Sequence, residues 1–368
     1  MLSVLDKSLT EYGGGNESVN VDISGNINVD VRGGDDGKVI ANGNTDMNGV
    51  TDMNGVTVTN KITSANIVDS AGVGGADGVG GAEIRVKSEK IIERLVTEIF
   101  EKPSECHFTR EQNAVCSPTH VVNKMAEFAK NKGAKVDSNP VKVVGTIKEM
   151  MNCNSESCVI KNPEFIQFAK IANVNDLLDR FFKPNGPATH FGLLSNFNID
   201  DVLDQLEQKF PGFLHIPFQM RDFEKIGTDL ATIDLAEKFK KDTKSFGVVL
   251  NTDWSSGPGI HWYCIFGEKK NGKIILEYFN SSGREPLTET QAWLQKTKHY
   301  LQKELKIPVE VKYSSGVMFQ NDEHSCGVYC LMYIWLRLEG VPNNWFKTET
   351  FNDDIMHKAR KVLFRHEV

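Results

Sequence analysis

The chain has 368 residues, 40% apolar and 25% charged, an ordinary balance for a soluble globular protein with room for one large domain or two of usual size. No apolar run approaches the roughly 18 residues of a membrane-spanning helix, and the N-terminal "MLSVLDKSLTEYGGG" lacks the apolar core of a signal peptide. The net charge of −7 belongs wholly to residues 1–85, with 12 acidic against 5 basic side chains; the remaining 37 of each sign cancel, so the folded part is not the polycation that non-specific nucleic-acid binding favours.

Residues 1–83 read as an acidic, Gly/Asn-rich, low-complexity tail. Up to residue 82 they hold 16 of the 31 glycines, no proline and a single aromatic residue, Tyr12, too little to build a core. A hexad repeats in "TDMNGVTDMNGV" (45–56), and alternation in "VNVDISGNINVDVRGG" gives strand spacing on either side of Gly25. The favoured expectation is a flexible tail, with a short β-rich appendage as the alternative.

A mainly helical arm is expected over 84–190. It opens with an apolar stripe at Ile91, Ile92, Leu95, Val96 and Ile99 and continues with helices near 119–132 and 163–182. Another helix is expected at 199–210, with Asp200 and Asp201 in its first turn. From about 245 the pattern turns to strands, "SFGVVLNT", "HWYCIFGE", "KIILEYFN" and "VEVKYS", with "KKNG" (269–272) as a hairpin turn between the second and third. Helices at 287–305 and after Cys326 complete an α+β domain over 191–368. Seven cysteines, odd in number and without framework spacing, point to free thiols in a reducing, intracellular setting.

The stretch "FQNDEHSCGVYCLMYIWLRL" (319–338) places a cysteine on the junction between a polar cluster and an apolar helix. A helix N-terminus lowers a thiol pKa and offers N–H groups to an oxyanion, so Cys326 has the surroundings of a nucleophile, with Gly327 permitting close approach. Gln320 can supply a side-chain oxyanion donor. His261, opening a strand after a glycine-rich loop, is the candidate base. Asn280, at the end of the next strand, falls near the same sheet end and can fix the imidazole tautomer. Each residue alone has a plainer reading as core cysteine, strand histidine or turn asparagine. The ordered set His, Asn, Gln, Cys-Gly is what carries the chemistry.

That order resembles the SUMO-specific proteases and the adenovirus protease, and more closely the polyprotein-processing cysteine proteases of African swine fever virus and related large DNA viruses. The segments "SESCVI" (155–160), "GLLSNFNID" (192–200), "LNTDWSSGPG" (250–259), "HW" (261–262) and "EYFNSSG" (277–283) share the likeness. It covers about 150–368 well, 84–150 weakly and 1–83 not at all. It implies a papain-like, SUMO-protease-like core with His261 as base, Asn280 as its orienter, Gln320 in the oxyanion hole and Cys326 as nucleophile, without a cofactor. It also implies cleavage of structural polyproteins after Gly-Gly in host cytoplasm and virion, through a slot only glycine can enter. Trp254 and Trp262 are the candidate walls of that slot. An alternative is removal of SUMO or ubiquitin-like tags; another is a catalytically silent binding module.

The tail carries Gly-Gly pairs of its own, at 33–34, 74–75 and 80–81, so it is a candidate substrate of the same enzyme. Cys106, His107, Cys116 and His120 are a poor zinc set, since their spacing matches no usual ligand pattern, and Cys153 and Cys158 are read as free thiols.

Overall fold

Asn271 and Gly272, at φ of 51° and 74°, close the two-residue turn expected at "KKNG". Left-handed conformations at both positions match the twist of the strands they join. The flanking strands are β5 (Trp262–Lys270) and β6 (Lys273–Phe279), paired antiparallel from Lys270 opposite Lys273 to Cys264 opposite Phe279. The structure is a computed structural model and describes residues 17–21, 27–31, 104–110, 115–189, 191–348 and 351–365.

Two compact units divide the chain, Met1–Gly78 and Val79–Val368. In the first, β1 (Glu17–Val21) pairs antiparallel with β2 (Ile27–Val31), Val19 opposite Val29 and Val21 opposite Ile27. The hexad repeat and the helix expected from Ile91 to Ile99 lie outside the described residues.

The second unit is built on a mixed five-stranded sheet. Strand β3 (Phe213–His215) runs parallel to β4 (Ser245–Asn251), β4–β5–β6 is antiparallel, and β7 (Val309–Tyr313) runs parallel to β6. Both faces are covered, and alternation along the strands sorts the side chains. Val249, Cys264, Phe266 and Phe279 pack with the helices α6 (Asn196–Lys209), α11 (Cys326–Leu338) and α12 (Asp353–Leu363). Val248, Leu250, Tyr263, Ile265, Leu276 and Tyr278 face a second core with the short helices α7 (Phe223–Ile226), α8 (Asp229–Thr232) and α9 (Leu235–Lys240) and the long α10 (Thr288–Leu305).

The helical arm closes around its own core, which includes Met125, Phe128, Ile147, Ile160, Phe165 and Leu178. Its helices are α1 (Thr119–Asn131), α2 (Pro140–Met151), α3 (Glu156–Lys161), α4 (Pro163–Ala169) and α5 (Val174–Phe181). The single helix expected over 163–182 is two. Lys170 turns left-handed (φ 54°) to end α4, and Asn173 restarts the chain by accepting the Asp176 N–H.

The reading of free thiols needs correction in this region. Cys106 is bonded to Cys116 and Cys153 to Cys158, with Cα atoms 4.7 and 5.6 Å apart, inside the range a disulfide spans. The chain folds back locally and brings each pair together, so Cys106 and Cys116 are not thiolate ligands for zinc. Cys264, Cys326 and Cys330 are free and buried. Among the described residues no helix is long and apolar enough to cross a membrane.

One buried ion pair ties α11 to the sheet. Glu277 on β6 is fully buried; Arg337 donates to its two oxygens at 2.7 and 3.1 Å, and the Tyr333 hydroxyl donates at 2.9 Å. Arg337 also reaches the partly exposed Glu268 at 3.1 Å, so removing Glu277 leaves the guanidinium with that one acidic partner and the Tyr333 hydroxyl without its acceptor. Glu277→Ala is expected to destabilise the fold by about 3–5 kcal/mol in urea unfolding. Glu277→Leu combined with Arg337→Met is expected to recover most of that; a single-variant loss below about 1 kcal/mol would contradict the assignment.

Candidate active site

The loop 252–260 delivers His261 to the start of β5. Asn251, buried at the end of β4, accepts the N–H groups of Asp253 (3.0 Å) and Ile260 (2.9 Å) on one oxygen, and Asp253 accepts Gly259 N–H at 3.0 Å. A Cβ at Gly257 would sit 2.2 Å from the Asp253 carboxylate, so a side chain there would force the loop open. His261 emerges half-buried, its carbonyl accepting Thr252 N–H at 2.9 Å.

His261 Nε2 lies 2.8 Å from Asn280 Oδ1. The amide is fixed on every side: Oδ1 also accepts the N–H (3.0 Å) and hydroxyl (2.8 Å) of Ser282, and Nδ2 donates to the Tyr278 hydroxyl at 2.9 Å. An amide oxygen only accepts, so the imidazole proton resides on Nε2 and Nδ1 is the basic nitrogen. Burial pushes the His261 pKa down, the Asn280 bond opposes this, and the Arg284 charge adds to the lowering.

Cys326 opens α11 and is buried. The backbone N–H of Trp262, the residue beside His261, acts on the thiol and favours its ionised form. The expectation that the helix terminus lowers this thiol meets a larger opposing effect. Burial pushes Cys326 up to about 11, against the N–H groups of Trp262 and Gly327. At Gly327 a Cβ would stand 3.1 Å from the Leu194 side chain, so the absence of a side chain lets the 191–195 loop seat on the helix end.

Gln320 is joined to the same stretch as Asn280. Ser281 donates its hydroxyl to Gln320 Oε1 at 2.7 Å, and its carbonyl accepts the N–H groups of Phe319 (2.8 Å) and Gln320 (3.0 Å). Gln320 Nε2 donates to the carbonyl (2.9 Å) and Oδ1 (3.2 Å) of Asp322. The Trp262 indole N–H donates to Leu194 carbonyl at 3.0 Å, with the Phe218 ring edge-on at 6.1 Å, so this ring is held from two sides. Trp254 is 42% exposed beneath the Arg221 guanidinium, 4.7 Å from its ring centre. Its backbone donates to Asp253 at 2.8 Å and accepts Gly257 N–H at 2.9 Å, which ties Trp254 to its own loop.

Across 288 residues the chain is 34% identical to a cysteine protease of African swine fever virus (isolate Tick/Malawi/Lil 20-1/1983), covering 74% of this chain and 98% of that protein. The chain belongs to the African swine fever virus cysteine protease family. A relative from the isolate Pig/Kenya/KEN-50/1950, named a SUMO-1 cysteine protease, is 33% identical over 288 residues with the same coverage. The crystal structure of the African swine fever virus protease superposes with a TM-score of 0.62 at 30% identity, covering 72% of this chain and 96% of that one. No family model matches the chain. The expected activity therefore stands: the chain is a cysteine protease of the viral, SUMO-protease-like kind, with a mixed sheet flanked by helices.

Sequence reasoning missed the residues around the expected set. Tyr278, Ser281 and Ser282 flank Asn280 in "EYFNSSG", and their signal was proximity alone. Asp322 stood within the polar cluster before Cys326. It accepts from His324 N–H (3.0 Å), Ser325 N–H (2.9 Å), Ser325 hydroxyl (2.6 Å) and His357 (2.9 Å). Burial raises its pKa, but these bonds prevail and hold it at about 2.

With the thiol raised and the imidazole lowered, the resting pair is uncharged at neutral pH. Alkylation of Cys326 by iodoacetamide is expected to be slow at pH 7 and to climb steadily into the alkaline range. A fast, pH-independent plateau reaching down into acid, the mark of a thiolate–imidazolium pair, would refute this.

Proposed function

We propose that the chain is an endopeptidase that cleaves structural polyproteins of a large DNA virus after Gly-Gly, acting in host cytoplasm and virion. The observation that carries the proposal is the 2.8 Å bond by which Asn280 holds the His261 imidazole, next to Trp262, whose backbone N–H acts on the Cys326 thiol at the start of α11. Cys326 Sγ attacks the scissile carbonyl while His261 Nδ1 takes its proton. The tetrahedral oxyanion is met by the first N–H groups of α11 and by Gln320 Nε2, once its bonds to Asp322 are exchanged for the substrate. Collapse breaks the C–N bond, His261 returns the proton to the leaving amine, and a thioester remains. Water activated by His261 then hydrolyses it.

The choice of Gly-Gly follows from the family likeness. The Trp262 ring, held by Leu194 and Phe218, is proposed as one wall of the slot, since a wall that cannot yield excludes residues with a Cβ; Trp254 is proposed as the outer wall. A second reading, release of SUMO or ubiquitin-like tags, is favoured by the relative named a SUMO-1 cysteine protease. Such tags also end in Gly-Gly, so one site chemistry serves both. The tail's Gly-Gly-Ala sequences at 74–76 and 80–82 are proposed as further substrates.

Two substrates compared side by side separate these readings: a peptide with an internal Gly-Gly-Ala bond and SUMO carrying a C-terminal reporter amide. Cleavage of the peptide alone is expected, abolished by Cys326→Ala and lowered about 10²- to 10³-fold in kcat by Gln320→Ala. Efficient turnover of the SUMO reporter would transfer the assignment to deconjugation, and no turnover of either would refute protease action on Gly-Gly. For the tail, intact mass after long incubation is expected to fall for the wild type and not for Cys326→Ala. An unchanged wild-type mass removes the self-processing proposal.

A further inference from the structure

Helix α12 carries Asp353, His357 and Arg360 at spacings of four and three, one face of the helix. All three reach the loop between Gln320 and Cys326. Asp353 Oδ2 accepts the N–H groups of Asn321 (2.9 Å) and Asp322 (3.2 Å). His357 Nε2 meets Asp322 Oδ2 at 2.9 Å, and Arg360 Nη2 donates to His324 carbonyl at 2.6 Å. Through Nη1, at 2.7 Å from Gly192 carbonyl, Arg360 also holds the loop that seats on Gly327.

This stripe is costly as a source of stability. Arg360 is 2% exposed, and its Nε has no hydrogen-bond partner. Its other nitrogens bond carbonyl oxygens, and its buried charge is offset at a distance by Asp322 first and Cys326 second, against a larger cost of burial. A buried cation placed in this way stabilises little and specifies geometry instead. The geometry it specifies is that of Asp322, the residue to which Gln320 Nε2 is bonded.

We propose that α12 is part of the reaction machinery, with His357, Asp353 and Arg360 as positioning residues that set the oxyanion loop through Asp322. The proposal rests on the reading of Gln320 as an oxyanion donor. Loosening the stripe lets Gln320 drift, while Cys326, buried at the start of α11, and His261, held by Asn280, keep their places. Oxyanion stabilisation then falls without loss of thiol reactivity. His357 is the residue to change, being partly exposed and at the near end of the contact with Asp322.

The test uses the full chain and two reactions of one thiol. Peptide hydrolysis passes through an oxyanion; alkylation by iodoacetamide displaces iodide and forms none. His357→Ala is expected to lower kcat on the Gly-Gly-Ala peptide about tenfold, with KM and the alkylation rate each within about twofold of wild type. His357→Gln, which retains a donor within reach of Asp322, is expected to restore most of kcat. Unchanged hydrolysis in His357→Ala overturns the proposal, as does a parallel fall in hydrolysis and alkylation. Failure of the wild type itself to cut the peptide overturns the underlying function instead, and is told apart because it needs no variant.

Discussion

Helix α11 is apolar around almost its whole circumference: from Cys326 to Arg337 every residue is buried. A helix of that kind has only one stable place, inside the protein, where it lies between the sheet and helices α6 and α12. Burial fixes its axis, and the axis fixes where its first N–H groups point. Ser325, the N-cap, does not turn its hydroxyl onto those groups; it donates it to Asp322. The helix end is left facing the site, as an oxyanion requires.

The sheet edge supplies the remaining parts through one short stretch, Asn280–Ser281–Ser282–Gly283. Asn280 bonds His261, Ser281 holds Gln320 by side chain and backbone, and Ser282 locks the Asn280 amide. Gly283 has φ of 68°, and a Cβ there would lie 2.8 Å from the Val317 backbone. Only glycine lets the chain entering the Gln320 loop pass so close. His261 and Gln320, the base and oxyanion donor of the proposed reaction, are therefore both anchored on one short stretch.

Much of this was legible in the sequence because it rests on local rules. The strands from 245 to 313 showed through β-branched and aromatic runs, and the hairpin through Asn-Gly. Cys326 and His261 showed through their positions at a helix start and after a tight loop. What stayed hidden depends on contacts between residues far apart. The polar stripe of α12 reads as an ordinary solvated helix face until the fold brings Asp353 against Asn321. The pairing of Cys106 with Cys116 and of Cys153 with Cys158 could not be read from spacing, since composition pointed to free thiols. Lys170 ending α4 gave no warning either: a lysine in the left-handed region is a tertiary choice that no propensity foretells.

The residue behind the histidine is an uncharged asparagine, Asn280. A carboxylate there would pull His261 toward imidazolium and favour a standing ion pair with the thiol. Here burial lowers the imidazole and raises the thiol, and the nearby Arg284 charge presses the same way. The resting pair is neutral, so the orienting residue has no cation to stabilise before substrate arrives. Its remaining task is to keep the proton on Nε2, for which a locked amide oxygen suffices. In the proposed reaction proton transfer then accompanies attack instead of preceding it, and an imidazolium at His261 appears together with the oxyanion. The oxyanion's share of the demand for stabilisation would fall on the Gln320 loop and the end of α11, where Ser281, Ser325 and His357 bind Gln320 and Asp322.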